Sequence, residues 1–309
     1  MDLGYSVLKG VIQGLTEFLP VSSTAHLTFA NAIFERFHWQ PPLRPGEDEF
    51  FDILLHLGTL LSVVYYFRSD LWQIVQVFLG KAPADVVDSQ SGLSLKKLPV
   101  FLAVSSVATI VFVLAMKKIS ALVMTHMGWT TATISDLSDY YFAHPQWVAI
   151  HLMIVGCLLF FTEKVSASAE KRATGRDFKV GHSLVIGLVQ GCAAIFHGIS
   201  RSGSTISAGL GLGLDRITAT RYTFMLSIPT FLLAAAYEAM KFNGQLQGLD
   251  WPVMLLGMLA STVFGYFCVK YLIRFVATHS LVGFAVYCWA IGIIMLVLFS
   301  MTPDVHVAG

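Results

Sequence analysis

The chain has 309 residues, of which 55% are hydrophobic and only 13% charged, and its net charge is +1. Soluble domains carry about 25% charged residues, so this composition, with a mean hydropathy of +0.69, describes an integral membrane protein with little material outside the bilayer. It excludes a basic face for nucleic acid, and the four cysteines (Cys157, Cys192, Cys268, Cys288) lie in apolar segments without CxxC or metal spacing, where they read as packing residues.

In chain order, the first apolar region covers residues 3–34 and is broken centrally by Pro20-Val-Ser-Ser-Thr24. It carries Gln13, Glu17 and His26, and an ionisable group at bilayer depth costs roughly 2.5–3.5 kcal/mol on insertion scales. A cleaved leader is not expected, because its apolar core would contain Gln13 and Glu17. Apolar runs long enough to cross a bilayer follow near 50–67, 98–116 and 145–162, and later near 222–240, 252–273 and 281–301. Between these two sets lies a second broken region, 183–214, interrupted by His197-Gly-Ile-Ser-Arg-Ser-Gly203. Each broken region is too long for one crossing and too interrupted for two. Both are predicted to be re-entrant hairpins, with irregular backbone tolerated only where it is buried in protein or lines a wet cavity. The polar tract 81–97 reads as a flexible linker or a membrane-surface segment. Residues 119–144 read as an insertion without an assigned role.

The two broken regions resemble each other. Gly10-Val-Ile-Gln-Gly14 matches Gly187-Leu-Val-Gln-Gly191, and a hydroxyl cluster follows each: Ser22, Ser23 and Thr24 in one, Ser200 and Ser202 in the other. Each hairpin precedes three spans, giving repeat 1 over about 3–162 and repeat 2 over about 183–301 of a single membrane domain. A hairpin plus an odd number of spans makes the second copy enter from the opposite face. The predicted fold class is therefore all-α, with six transmembrane helices and two re-entrant hairpins in an inverted-topology repeat, a design that puts its site at the repeat interface near the midplane. Loop charges set the orientation. Lys164, Lys171, Arg172, Arg176 and Lys179, with Lys81, Lys96 and Lys97, mark the cytoplasmic side; Glu35, Glu47, Asp48 and Glu49 fall outside, as do Asp136 and Asp139. Lys117 and Lys118 run against this assignment.

The hairpins carry complementary chemistry. Gln13 and Glu17 are four residues apart and share a helix face, where a carboxylate and an amide oxygen suit a hard divalent cation. Pro20 ends the half-helix, and Ser22, Ser23 or Thr24 can cap the next. His26 follows Ser23 by three residues, within reach of its proton. In the second hairpin, Arg201 offers a planar fork for phosphate oxygens, flanked by Ser200, Ser202 and Thr205 at a helix N-terminus. His56 lies mid-span and reads as a packed, hydrogen-bonded histidine. A carboxylate, a hydroxyl beside an imidazole, and an arginine cradle are the parts of phosphoryl transfer. A site inside the membrane points to a phosphate attached to a lipid. The rival reading is a transporter or flippase of such a lipid, which would need the cradle but no nucleophile.

These residues resemble a known family, the bacterial undecaprenyl-diphosphatases of the bacitracin-resistance type. Its (E/Q)xxxE motif is matched by Gln13-Gly-Leu-Thr-Glu17, its FLPxSSxxH stretch by Phe18-Leu-Pro-Val-Ser-Ser-Thr-Ala-His26, and its PGxSRSxxT motif by His197-Gly-Ile-Ser-Arg-Ser-Gly-Ser-Thr205. The resemblance implies hydrolysis of undecaprenyl diphosphate to the monophosphate and inorganic phosphate, dependent on Mg²⁺ or Ca²⁺. It also implies a multi-pass protein of the cell (plasma) membrane with its site opening to the outer face, recycling the lipid carrier of wall synthesis. By position it makes Glu17 a metal-binding or acid–base group, His26 a base or phosphate ligand, Ser23 a candidate nucleophile and Arg201 the phosphate clamp. Ser22, Thr24, Ser200, Ser202 and Thr205 become phosphate hydrogen-bonders. Whether Ser23 or water attacks is left open, and so is a homodimer. Two departures stand out: Gln13 takes the uncharged option, and His197 replaces a proline, giving up its rigidity at the turn.

Overall fold

The computed structural model describes residues 2–37, 47–83, 85–126, 144–167, 177–241 and 249–300. Among them the chain forms eleven helices. The pair α1 (Leu3–Thr16) and α2 (Ser23–Arg36) opens the chain, followed by α3 (Glu47–Tyr66), α4 (Arg68–Phe78), α5 (Leu98–His126) and α6 (Pro145–Ala167). A second pair, α7 (Val180–Ile195) and α8 (Arg201–Gly211), precedes α9 (Arg216–Lys241), α10 (Trp251–Thr278) and α11 (Val282–Ser300). The helix starts carry their signals: the Asp2 carboxylate accepts the Gly4 and Tyr5 amides, and Asp250 caps α10 just before Pro252.

Four of these helices are long and apolar enough to cross a membrane, over Leu98–Val123, Pro145–Ser166, Trp251–Thr278 and Val282–Ser300. The run expected at 50–67 is α3, which bends by 68° into α4, and the two together make a fifth candidate. Helix α9 covers the run expected at 222–240 but is less apolar than those four. Its first turns bury Thr218, Thr220, Arg221 and Thr223. The paired helices are short: α1 and α2 have 14 residues each, α7 has 16 and α8 has 11. At 1.5 Å per residue none exceeds about 24 Å, less than the ~30 Å of a bilayer core.

Packing exchanges the two halves of the chain. Helix α1 lies along α10, while α7 lies along α5; α3 also packs on α10 and α9 on α5; α6 pairs with α11. The repeated glycines explain the closeness. A Cβ at Gly10 would sit 2.2 Å from the Gly257 carbonyl oxygen of α10, and one at Gly187 would sit 2.4 Å from the Ser105 carbonyl oxygen of α5. Phe18, Val63, Leu152, Leu226 and Val269 join one core that runs between the two helix pairs.

Two expectations are corrected. Tract 81–97 is not a linker. Leu93 and Leu95 are wholly buried, an isolated bridge joins Val87 to Ser94, and the Arg221 guanidinium grips both Asp88 carboxylate oxygens (2.6 and 2.9 Å) and Asp70 (2.8 Å). Apolar side chains spaced among the polar ones anchor what composition alone marks as loose. Residues 119–126 of the supposed insertion continue α5, so Lys117 and Lys118 lie within that helix rather than at its end. Residues 127–143 of the insertion, with Asp136 and Asp139, lie outside the described residues, as do Lys171, Arg172 and Arg176.

Candidate active site

The two short helix pairs bring their turns together. Helix α1 ends at Thr16, and Glu17 follows with helical backbone, its N–H on the Gln13 carbonyl. Pro20 brings no N–H to continue a helical ladder, and the chain reverses through a core of Phe18 and Val21. Ser22 closes the turn at φ +67°, the one non-glycine residue of positive φ among those described. Its Oγ accepts the Ala25 amide and so caps α2. In the second pair, Gly198 turns the chain at φ +92°, where a Cβ would come within 3.0 Å of the Val148 carbonyl oxygen. Ser200 Oγ accepts the Gly203 amide at 3.1 Å and caps α8, whose first residue is Arg201.

Three contacts join the turns. Ser202 donates its hydroxyl to the Leu19 carbonyl at 2.9 Å. A Cβ at Gly203 would lie 3.3 Å from that of Pro20, so the backbones nearly touch. Arg201 Nη2 donates to Glu17 Oε1 at 3.0 Å across 184 residues of sequence. The other Glu17 oxygen, Oε2, accepts from Gln13 Nε2 at 2.8 Å and from the Ser23 hydroxyl at 2.6 Å. His56 Nε2 stands 3.8 Å from the same oxygen. The Arg201 guanidinium lies over the Phe231 ring at 4.2 Å, and the His56 ring meets Phe231 edge-on. Glu17 is 5% exposed and Arg201 20%. Arg201 Nη1 and Gln13 Oε1 are buried without a hydrogen-bond partner. An unpaired buried donor and acceptor are costly, and these two flank the Glu17 carboxylate through the other atoms of their side chains.

The hydroxyls divide by role. Ser23 alone reaches the carboxylate. Ser22 and Ser200 cap helices, Ser202 ties the turns, and Thr205 donates back to the Arg201 carbonyl at 2.8 Å. Thr24 lies half-buried in the first turn of α2. His26 is not on Ser23: its Nδ1 lies 2.8 Å from the Ser22 carbonyl and its Nε2 2.8 Å from the Tyr287 hydroxyl. Sequence spacing put Ser23 and His26 on one face but could not foresee that Glu17 would take the hydroxyl. His197 sits at the second turn, its carbonyl accepting from His151 Nδ1 at 2.6 Å.

A resident Mg²⁺ or Ca²⁺ on Glu17 and Gln13 does not fit this donor set. The Glu17 carboxylate already accepts from three donors, one of them the arginine cation, and Gln13 turns its N–H towards it. Among the described residues no three His, Cys, Asp or Glu side chains gather as a metal cage.

One cluster beside the site escaped the sequence reading. Lys9 is fully buried and pairs with Asp48 at 2.6 Å and Asp52 at 2.9 Å, and Tyr5 donates to Asp48 at 3.0 Å. Tyr5, Lys9 and Gln13 on α1 and Glu17 at its C-cap fall four apart, as do Asp48, Asp52 and His56 along α3. That matched spacing was the available signal.

A family model described as bacitracin resistance protein BacA matches residues 6–294. The chain belongs to this family. An undecaprenyl-diphosphatase of Desulfosudis oleivorans is 38% identical over 299 residues, covering 93% of this chain and 94% of its own. One of Methanobrevibacter smithii is 33% identical over 301 residues, covering 96% and 97%. One of Alkaliphilus metalliredigens is 32% identical, covering 96% and 98%. The BacA match contains both turns and every residue gathered around Glu17.

Proposed function

We infer that this chain is a membrane phosphatase that hydrolyses undecaprenyl diphosphate to undecaprenyl phosphate and inorganic phosphate. The observation that carries the reading is the Glu17 carboxylate shared between Arg201 of one turn and Ser23 of the other. Arg201 holds the terminal phosphate. Its unpartnered Nη1 takes one phosphate oxygen, and the N-termini of α2 and α8, both beginning at the site, present backbone N–H groups to others. The attacking oxygen is Ser23 Oγ or a water beside it. It forms a bond to the terminal phosphorus as the bridging P–O bond breaks, and its proton passes to Glu17 Oε2, the acceptor of the Ser23 hydroxyl. The bridging oxygen leaves on the prenyl monophosphate. Where Ser23 attacks, water then cleaves the phosphoserine to release phosphate. A carrier of the same lipid would use the arginine, but a hydroxyl aimed at a carboxylate serves hydrolysis.

Several finer features belong to the same proposal. The short helix pairs are two re-entrant hairpins within a six-span inverted repeat, a reading supported by their length and by the exchanged packing of α1 on α10 and α7 on α5. The site opens to the outer face of the plasma membrane. The part-exposed side chains of Asp48, Asp52 and His56 support this, forming a polar stripe from the start of α3 to Glu17. Dependence on Mg²⁺ or Ca²⁺ would require the diphosphate's own oxygens to contribute ligands, because Glu17 and Gln13 are already engaged with each other, with Ser23 and with Arg201.

Phosphate release from farnesyl or undecaprenyl diphosphate by the purified protein, with and without EDTA, tests the reading. Wild type should turn over. Arg201→Ala and Glu17→Ala should lose about 10²-fold or more, the scale of removing a transition-state donor. Undiminished turnover by Arg201→Ala would overturn the site.

A further inference from the structure

Tyr287 lies on α11, an apolar helix that buries Ala285, Cys288 and Gly292 on one face, and its residue is 41% exposed. Its hydroxyl nevertheless turns inward to His26 Nε2 at 2.8 Å, and the two rings lie parallel within 4°. The His26 Nδ1 faces the Ser22 carbonyl, which can only accept, so the ring proton sits on Nδ1. Nε2 then holds a lone pair, and the Tyr287 O–H donates to it. Both nitrogens are committed, and neither touches Ser23.

What His26 holds is the strained residue. The Ser22 carbonyl receives the His26 side chain at 2.8 Å and the His26 backbone N–H at 3.3 Å. A non-glycine residue at φ +67° costs about 1–3 kcal/mol and persists only where its surroundings enforce it. The next residue is Ser23, whose hydroxyl must meet Glu17. The neighbour of Tyr287, Cys288, points its thiol at the Pro20 carbonyl at 3.7 Å, so α11 bears on this turn twice.

We propose that Tyr287 is a positioning residue for the hydrolysis: through His26 it fixes the Ser22–Ser23 turn and so keeps Ser23 Oγ on Glu17. This rests on the assignment of Ser23 and Glu17 above. It gives His26 the work of a brace rather than of a base. A misplacement of about 1 Å at a reacting group can cost 10²-fold, so a single hydroxyl far along the chain has leverage on turnover without touching substrate.

The test is a double-mutant cycle on prenyl diphosphate hydrolysis with Tyr287→Phe, His26→Ala and the pair, measuring kcat and KM separately. Tyr287→Phe keeps the stacked ring and removes one oxygen. It should lower kcat about tenfold or more and leave KM within about twofold, because binding by Arg201 is untouched. The double variant should be no slower than His26→Ala alone. Should the alanine variant not fold, His26→Asn, which keeps a donor near the Ser22 carbonyl, takes its place in the cycle. Wild-type kcat in Tyr287→Phe, or losses that multiply in the pair, would overturn the proposal while leaving hydrolysis intact. A wild-type protein that releases no phosphate would instead sink the hydrolysis itself.

Discussion

Gln13 donates its amide N–H to Glu17 Oε2 at 2.8 Å, with Oε1 left buried and unpartnered. A glutamate at this position would set two carboxylates at hydrogen-bond distance, an arrangement that needs a proton or a cation between them. The Gln13→Glu variant should therefore keep or exceed wild-type turnover in excess Mg²⁺ or Ca²⁺, and fall roughly tenfold further than wild type when the ion is chelated. Phosphate release titrated with the cation checks this; equal cation dependence in the two proteins would mean that a second carboxylate at position 13 recruits no cation. The residues Gln13, Glu17, Ser23 and Arg201 were legible in the sequence because polar groups at bilayer depth stand out against apolar neighbours. Their pairing was not. Spacing placed His26 beside Ser23, yet partners 6 and 261 residues away from them decided both side chains. Lys9 shares the four-residue spacing of Gln13 and Glu17, but its pairing is equally hidden, because its partners lie on α3.

At the scale of elements, the duplicated Gly-x-x-Gln-Gly pattern has a physical cause. In both copies its first glycine lets a short helix press on the backbone of a long one, Gly10 on α10 and Gly187 on α5. The polar partners differ: Gln190 donates to Thr109 at 3.0 Å, whereas Gln13 donates to the Glu17 carboxylate. Sequence periodicity could find the copies, and the breaks at Pro20 and Gly198 could place the turns. The bend between α3 and α4 was not readable, since Phe67 and Arg68 carry no turn signal. Gly10→Ala would put its Cβ against a backbone oxygen that cannot swing away. It should cost about 1–3 kcal/mol, the usual penalty of overpacking. It should also depress turnover, since α1 carries Gln13 and leads into Glu17. The same change at Gly211, which meets nothing within 4 Å, is the control; an unfolding temperature unmoved by Gly10→Ala would contradict the close approach.

Across the whole molecule, two buried ionic clusters stand at opposite ends of α3. Lys9 with Asp48 and Asp52 ties α1 to the start of α3, and Arg221 with Asp70 and Asp88 ties α9 to α4 and to the folded tract 85–95. The first holds the helix that leads into Glu17, and the second holds α9, which packs on the Arg201 helix α8. Asp88 has no exposed side-chain surface, and its carboxylate is satisfied by Arg221 and by Ser91. Removing the guanidinium strands that charge, and breaking one partner of a buried pair costs about 3–5 kcal/mol. Arg221→Met should therefore lower the unfolding temperature and open tract 85–95 to protease. Adding Asp88→Asn removes the stranded charge while keeping polar atoms for Ser91, and should recover part of the loss. Had the tract been a linker, Arg221→Met would leave its cleavage rate as in wild type, and the double variant would have nothing to restore. The ordering expected here follows from the burial of Leu93 and Leu95: a segment that places its leucines in the core comes free only when its anchoring charge does.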